Sequence, residues 1–252
     1  MNDAMNMDGQ TVLVTGATKG IGLAIAADLA QAGAKVLMNY RRDAEQAKHA
    51  LESVREISPD AELVQADIAD PADVDRMFRQ VRAGYGRLDG FVNNAGVTAD
   101  GFAIMMGEAK WRKVIDTNLT GAFFCMRAAG RLMANQRSGS IVAVASTSGI
   151  SAPPGQANYA ASKAGLLSLV RVLAKELGGK GVRVNAVVPG FVETAMTRAM
   201  PQKQLADYIE LAPLKRIGRP DEIAKVTRFL LCGEFSSYVT GTSVVVDGGL
   251  TS

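Results

Sequence analysis

Histidine is almost missing from this 252-residue chain: His49 is the only one. It lies in DAEQAKHALESVREI, a pattern that reads as a solvated amphipathic helix. A Ser-His-Asp hydrolase needs a histidine base beside its nucleophile, and a zinc enzyme usually groups several His or Cys ligands. Both classes are excluded and no metal site is expected. Acid–base chemistry must fall to tyrosine, lysine or a carboxylate. Cysteine is equally sparse. Cys125 and Cys232 lie far apart in apolar surroundings and read as buried thiols of a reducing compartment, so a cytoplasmic location is expected. Neither sign of charge prevails: 28 basic and 25 acidic residues leave a net charge of +3. Without a block of like charge, no nucleic-acid-binding arm is expected. No run reaches the roughly 18 uncharged apolar residues of a membrane span. The opening MNDAMNMDGQ lacks the apolar stretch of a secretory signal.

What is present is ordinary globular composition, 48% hydrophobic and 21% charged. A chain of this length buries roughly 70–75% of its unfolded surface, so it needs no disulfide or metal staple. Residues 1–252 are expected to form a single α/β domain. Strand-like runs fall at 11–15, 35–39, 61–66, 88–93, 140–146, 182–188 and 243–247. Several are near-continuous Val, Ile and Leu, as in strands covered on both faces. Helical patterns fill the gaps at about 20–32, 43–57, 71–84, 108–134, 156–178, 202–210 and 220–232. Asp43 suits a helix cap and Pro71 a first helical turn. The alternation predicts a parallel sheet of about seven strands with helices on both faces. Residues 190–219 break the pattern after a strand end and predict a substrate lid.

Two motifs carry chemistry. TGATKGIG at 15–22 sits between a predicted strand and a predicted helix. Gly16, Gly20 and Gly22 there let backbone N–H groups approach a pyrophosphate at a helix N-terminus. An acid at the end of the second strand would bond the ribose 2′-hydroxyl of NAD, but the strand ends in Asn39-Tyr40-Arg41-Arg42. Arg41, Arg42 and Lys19 suit a 2′-phosphate instead, which predicts NADP(H). Asp67 and Ile68 follow the third strand and could flank the adenine. Asn94, in the NNAG of 93–96, follows the fourth and should tie loops together. The second motif is Tyr159-Ala-Ala-Ser-Lys163, whose ends share a helix face. A nearby ammonium favours a phenolate, so Lys163 is expected to lower the tyrosine pKa toward the working range. Ser146, expected to end the fifth strand, can hydrogen-bond a carbonyl oxygen as it gains charge.

These residues, with Asn118, Pro189-Gly190, Thr194 and the terminal VDGG at 247–250, resemble the short-chain dehydrogenase/reductase family over nearly the whole chain. Within it, NNAGVTADGFAIMM, GQANYAASKAGL and PGFVETAMT are most similar to the 3-oxoacyl-[acyl-carrier-protein] reductases. The resemblance implies a Rossmann-type doubly wound sheet and NADPH-dependent reduction of a 3-oxoacyl thioester. It implies that Tyr159 donates the proton, Lys163 bonds the nicotinamide ribose, and Ser146 holds the carbonyl. Asn118 would kink its helix and bind a relay water. Gly16, Thr18, Lys19, Gly20, Ile21, Gly22, Arg41, Asp67, Ile68, Asn94, Val192 and Thr194 would contact the cofactor. It implies a homotetramer, for which the sparsely charged 164–174 is suited. Arg137 and Lys180 match basic carrier-docking residues and are expected at the active-site mouth. Acetoacetyl-CoA, a polyketide or a small ketone remain alternative substrates. A non-catalytic NADP-binding protein is the alternative from another class.

Overall fold

The computed structural model describes residues 5–198 and 200–252. Seven strands form one parallel sheet: β1 (Thr11–Val14), β2 (Lys35–Tyr40), β3 (Glu62–Gln65), β4 (Gly90–Asn93), β5 (Gly139–Val144), β6 (Val182–Pro189) and β7 (Ser243–Val246). Their order is β3-β2-β1-β4-β5-β6-β7. The winding reverses between β1 and β4, which opens a crevice beyond the carboxyl ends of those strands. The longer helices are α1 (Gly20–Gln31), α2 (Ala44–Arg55), α3 (Pro71–Tyr85), α4 (Glu108–Ile115), α5 (Ala122–Gln136), α7 (Ala157–Leu177), α9 (Gln202–Leu211) and α10 (Pro220–Leu231). Three single turns, α6 (Ser148–Ser151), α8 (Ala195–Arg198) and α11 (Gly233–Ser236), fall between them.

The strands are continuously apolar because each feeds two cores. Leu13, Phe91, Ile141 and Val184 pack against α3, α5 and α7, while Val12, Val92, Val142 and Val187 pack against α1 and α10. Helix starts follow local chemistry. Asp43 accepts from the Gln46 N–H at 3.0 Å, and Asp70 accepts from the Ala72 N–H at 2.9 Å ahead of Pro71. Both cysteines are buried free thiols, and the side chain of His49 is 79% exposed.

The helix expected over 108–134 is broken. A π-helical turn, Asp116–Gly121, separates α4 from α5. A π-bulge widens a helix and redirects one side chain. Here that side chain is Asn118, whose amide bonds the backbone of Val97. Gly121 permits the close pass, since a Cβ there would lie 2.7 Å from the Ile68 carbonyl oxygen.

Phe91 is fully buried at the sheet centre and meets Phe78 edge-on at 5.6 Å. Phe91→Ala is expected to cost about 3–5 kcal/mol of stability. Urea unfolding measures this, and a loss below about 1 kcal/mol would mean that the core refills the space.

Candidate active site

The glycine turn after β1 is pinned from three sides. The Thr15 hydroxyl accepts from the N–H groups of Asn94 and Ala95 at 3.0 and 3.1 Å. The Asn94 side chain donates to the carbonyls of Thr15 and Gly16 at 2.9 and 3.1 Å. From β2, Asn39 Oδ1 accepts from the Gly16 N–H at 3.3 Å. Gly16 has φ +62°, and a Cβ on Gly22 would lie 2.2 Å from the Gly16 carbonyl oxygen. Only glycine fits either place. Lys19 precedes α1 without a side-chain cap, which leaves the first-turn N–H groups of a twelve-residue helix open. This cradle fits a pyrophosphate. Thr18 and Ile21 are half-buried beside it, and Lys19 is exposed.

Arg41 and Asp67 meet at the ends of β2 and β3, with 3.7 Å between Arg41 Nη1 and Asp67 Oδ2. Asp67 also accepts from the Ala69 N–H at 3.1 Å, so its carboxylate is fixed. Asp43 is occupied as the cap of α2, and Arg42 is exposed. Ile68 is buried in the core below this edge.

The catalytic candidates converge at the carboxyl end of β5. That strand stops at Val144, so Ser146 lies in the turn two residues beyond rather than in the strand. Ser146 lies beside Tyr159, and its hydroxyl accepts from the Ser148 N–H at 3.1 Å. Lys163 is buried, donates to the Val144 carbonyl at 2.7 Å, and holds its Nζ 5.6 Å from the Tyr159 ring centroid. Burial lowers the Lys163 pKa to about 8. The expected effect on Tyr159 is reversed. Burial raises its pKa, the Asp100 carboxylate adds to the rise, and the Ser146 hydrogen bond opposes them. Burial is the largest cause, and Lys163, with its Nζ 5.6 Å from the ring centroid and one donor on the Val144 carbonyl, does not offset it. Tyr159 is therefore held as a phenol, the form that can give up a proton. Asn118 belongs to the same cluster through its donation to Ser162 Oγ at 3.3 Å.

Val192 and Thr194 follow β6. Val192 forms a parallel bridge with Gly218, which closes the base of 190–219. Thr197 secures the turn by donating to the Val192 carbonyl at 2.7 Å. A Cβ on Gly20 would come 3.4 Å from Thr194 Cγ2, so this turn covers the glycine cradle.

Arg137 and Lys180 do not lie at the mouth of their own protomer. Arg137 ends α5 just before β5, and Lys180 precedes Gly181 at the start of β6. The two turns do meet, since a Cβ on Gly181 would lie 2.5 Å from the Arg137 carbonyl oxygen. They meet at the amino edge of the sheet, however, and Ser146 and Tyr159 lie at the carboxyl edge. The six residues of β5 separate the two edges, roughly 20 Å at strand rise.

Two contributors escaped the sequence reading. Asn158, one residue before Tyr159, is wholly buried and fully hydrogen-bonded. Gly149 carries α6 onto α7, and a Cβ there would lie 2.8 Å from the Lys163 carbonyl carbon. A polar residue directly before the reactive tyrosine was the only hint of the first. The second had no local signal.

Comparison with known proteins bears on this geometry. The sequence profile of a family described as enoyl-(acyl carrier protein) reductase matches residues 16–251. The 3-oxoacyl-[acyl-carrier-protein] reductase of Synechocystis sp. is 41% identical over 244 residues, 97% of this chain and 98% of that one. The reductase of the same description from Staphylococcus aureus is 40% identical, over 96% of this chain and 98% of that one. The crystal structure of a short-chain type dehydrogenase/reductase from Mycobacterium marinum superposes with a TM-score of 0.91 at 32% identity, over 99% and 98% of the two chains. With its pinned glycine turn and its Ser146, Tyr159 and Lys163 cluster, the chain belongs to the short-chain dehydrogenase/reductase family.

Proposed function

We propose that this protein reduces the keto group of a 3-oxoacyl thioester to the 3-hydroxyacyl form, with NADPH as reductant and an acyl carrier protein as the usual bearer of the substrate. The observation that carries the reading is the convergence of Ser146 and Tyr159 beside buried Lys163. Two hydroxyls brought together from different elements suit the oxygen of a carbonyl that gains charge. A bound nicotinamide supplies the hydride. Ser146 holds the substrate carbonyl oxygen, and Tyr159 transfers its phenolic proton to that oxygen as the hydride reaches the carbon. Lys163 would steady the charge left behind and would bond the nicotinamide ribose. Lys19, Arg41 and Arg42 provide cations at the adenosine end for a 2′-phosphate. Residues 190–219 act as the substrate lid.

A homotetramer is the proposed assembly. Trp111, Phe123 and Val172 are exposed on α4, α5 and α7, while Phe235, Tyr238 and Val245 are exposed at and near the edge strand β7. Two separate apolar faces suit two different two-fold contacts. Among the described residues, no helix is long and apolar enough to cross a membrane. We place the enzyme's work in the cytoplasm, where its two thiols stay reduced.

The decisive experiment compares an acetoacetyl thioester with a crotonoyl thioester, each with NADPH and NADH. The keto substrate with NADPH should give the highest kcat/KM. Turnover of the crotonoyl thioester in its place would make this an enoyl reductase, and equal use of the two cofactors would remove the role given to Arg41.

Tyr159→Phe keeps the ring and its packing but removes the donor. It should lower kcat by at least about 10²-fold while NADPH still binds, as fluorescence titration would report. Near-native turnover would mean that the proton comes from elsewhere. The pH profile adds a check on Lys163. Its ammonium is present below its lowered pKa of about 8 and is lost as pH rises through that value. kcat/KM, which reports the free enzyme, should therefore fall above about pH 8. A flat profile to pH 10, close to where a free lysine titrates, would refute the role.

A further inference from the structure

Asn158 joins three elements around Tyr159. Its side chain has no exposed surface. Its Oδ1 accepts from the Tyr159 backbone N–H at 2.7 Å, and its Nδ2 donates to the carbonyls of Ala99 at 3.0 Å and Lys110 at 3.1 Å. Tyr159 is the third residue of α7, so its N–H lies in the first turn and has no acceptor within the helix. On the other side, Ser162 Oγ donates to the Tyr159 carbonyl at 2.7 Å and accepts from Asn118 Nδ2 at 3.3 Å. Asn118 in turn holds the Val97 N–H and carbonyl at 2.8 and 2.9 Å. Both peptide groups that flank Tyr159 are thus tied through buried amides to the 97–101 loop. The same loop meets α7 again where the Gly101 N–H donates to the Gly155 carbonyl at 2.8 Å.

An ordinary helix cap serves only its own helix, from outside the first turn. Asn158 lies inside the helix and spends both donors on other elements. A carboxamide can offer two N–H donors, and both are used. The pattern is costly to bury unless every bond is made, and it is all made here. We propose that Asn158 is a positioning residue for the reduction: it fixes the Tyr159 hydroxyl against the 97–101 loop and so sets the geometry of proton delivery. The inference rests on the reading of Tyr159 as the acid. A displacement of about 1 Å at a reacting group can cost about 10²-fold in rate, so a loosened first turn should be visible in turnover.

The test uses the full chain, acetoacetyl-CoA and NADPH, with Asn158→Ala, Asn158→Asp and the double change Asn158→Ala/Tyr159→Phe. The Asp variant keeps the shape and the acceptor for the Tyr159 N–H but gives up both donors. Both single variants should lose at least about tenfold in kcat, with KM for the thioester within about threefold. NADPH affinity should hold, because the glycine cradle lies on other elements. If Asn158 acts through Tyr159, the double variant should be no slower than Tyr159→Phe alone, a non-additive result that a merely structural role would not give. Near-native turnover in both single variants would overturn the proposal. So would losses that multiply in the double variant, NADPH affinity that falls together with kcat, or failure of both single variants to fold. Failure of the acid assignment itself has a separate signature, a fast Tyr159→Phe enzyme.

Discussion

The site rests on a close approach of two backbones. At Gly149 a Cβ would meet the Lys163 carbonyl carbon at 2.8 Å and the Ala164 nitrogen at 2.9 Å. Those atoms belong to the middle of α7 and cannot swing aside as a side chain can. Because position 149 is glycine, the turn after β5 lies flat on that helix. Ser146 then reaches Tyr159, and Lys163 reaches the Val144 carbonyl at 2.7 Å. Any side chain at 149 would lift α6 from α7 and separate the two hydroxyls. The lysine amine is buried beside this contact, and loss of water around it lowers its pKa to about 8. The backbone contact therefore sets the approach of the two elements that carry the hydroxyls and the charge beside them.

The two halves of the crevice work by different means. At the β1 end the ligand-facing groups are backbone N–H groups, and side chains such as Thr15, Asn39 and Asn94 serve to hold the turn in shape. At the β5 end the chemistry belongs to side chains, and buried amides hold the backbone. Asn118 and Asn158 do at the second turn what Asn94 does at the first. In each case a carboxamide suits the task, because it offers donors and an acceptor without charge. A carboxylate in the same places would face carbonyl oxygens unprotonated, at the cost of an unpaired buried charge.

The alternation of strands and helices was legible because burial on both faces writes continuous apolar runs into β1, β5 and β6, and helical periodicity into the segments between. Asp43 was legible as a cap and Pro71 as a first-turn residue because helix starts are a matter of a few adjacent residues. The glycine turn and the tyrosine–lysine pair were legible for the same reason. What escaped depends on contacts between distant segments. The π turn at 116–121 is invisible in the helical pattern, was expected only through the resemblance that gives Asn118 a helix kink, and goes with Asn118 reaching Val97, 21 residues earlier. The direction of the Tyr159 shift follows from burial and from the Asp100 carboxylate. Arg137 and Lys180 were matched to docking positions through the family resemblance, which does not say at which edge of the sheet of its own protomer a turn lies. The six residues of β5 decide that.

The proposed preference for NADPH would turn in part on a competition at the Arg41 guanidinium. Arg41 already faces Asp67 across 3.7 Å, with side-chain exposures of 42% and 30%. A pair as wet as this contributes about 0–1 kcal/mol, so it orients Arg41 more than it holds it. A hydrogen bond to a charged group contributes about 1.5–3 kcal/mol, and a phosphate offers a planar guanidinium two such bonds. A 2′-phosphate would therefore draw Arg41 from Asp67 with free energy to spare. A ribose hydroxyl offers no comparable gain and leaves the ion pair intact. Asp67 is itself fixed by the Ala69 N–H, so it would not follow the arginine. On the proposed reading the carboxylate would serve as a holder that presents the cation in the free protein. The proposed preference for NADPH then comes from the difference between a weak, solvated ion pair and a doubly bonded phosphate, without any residue that repels NADH.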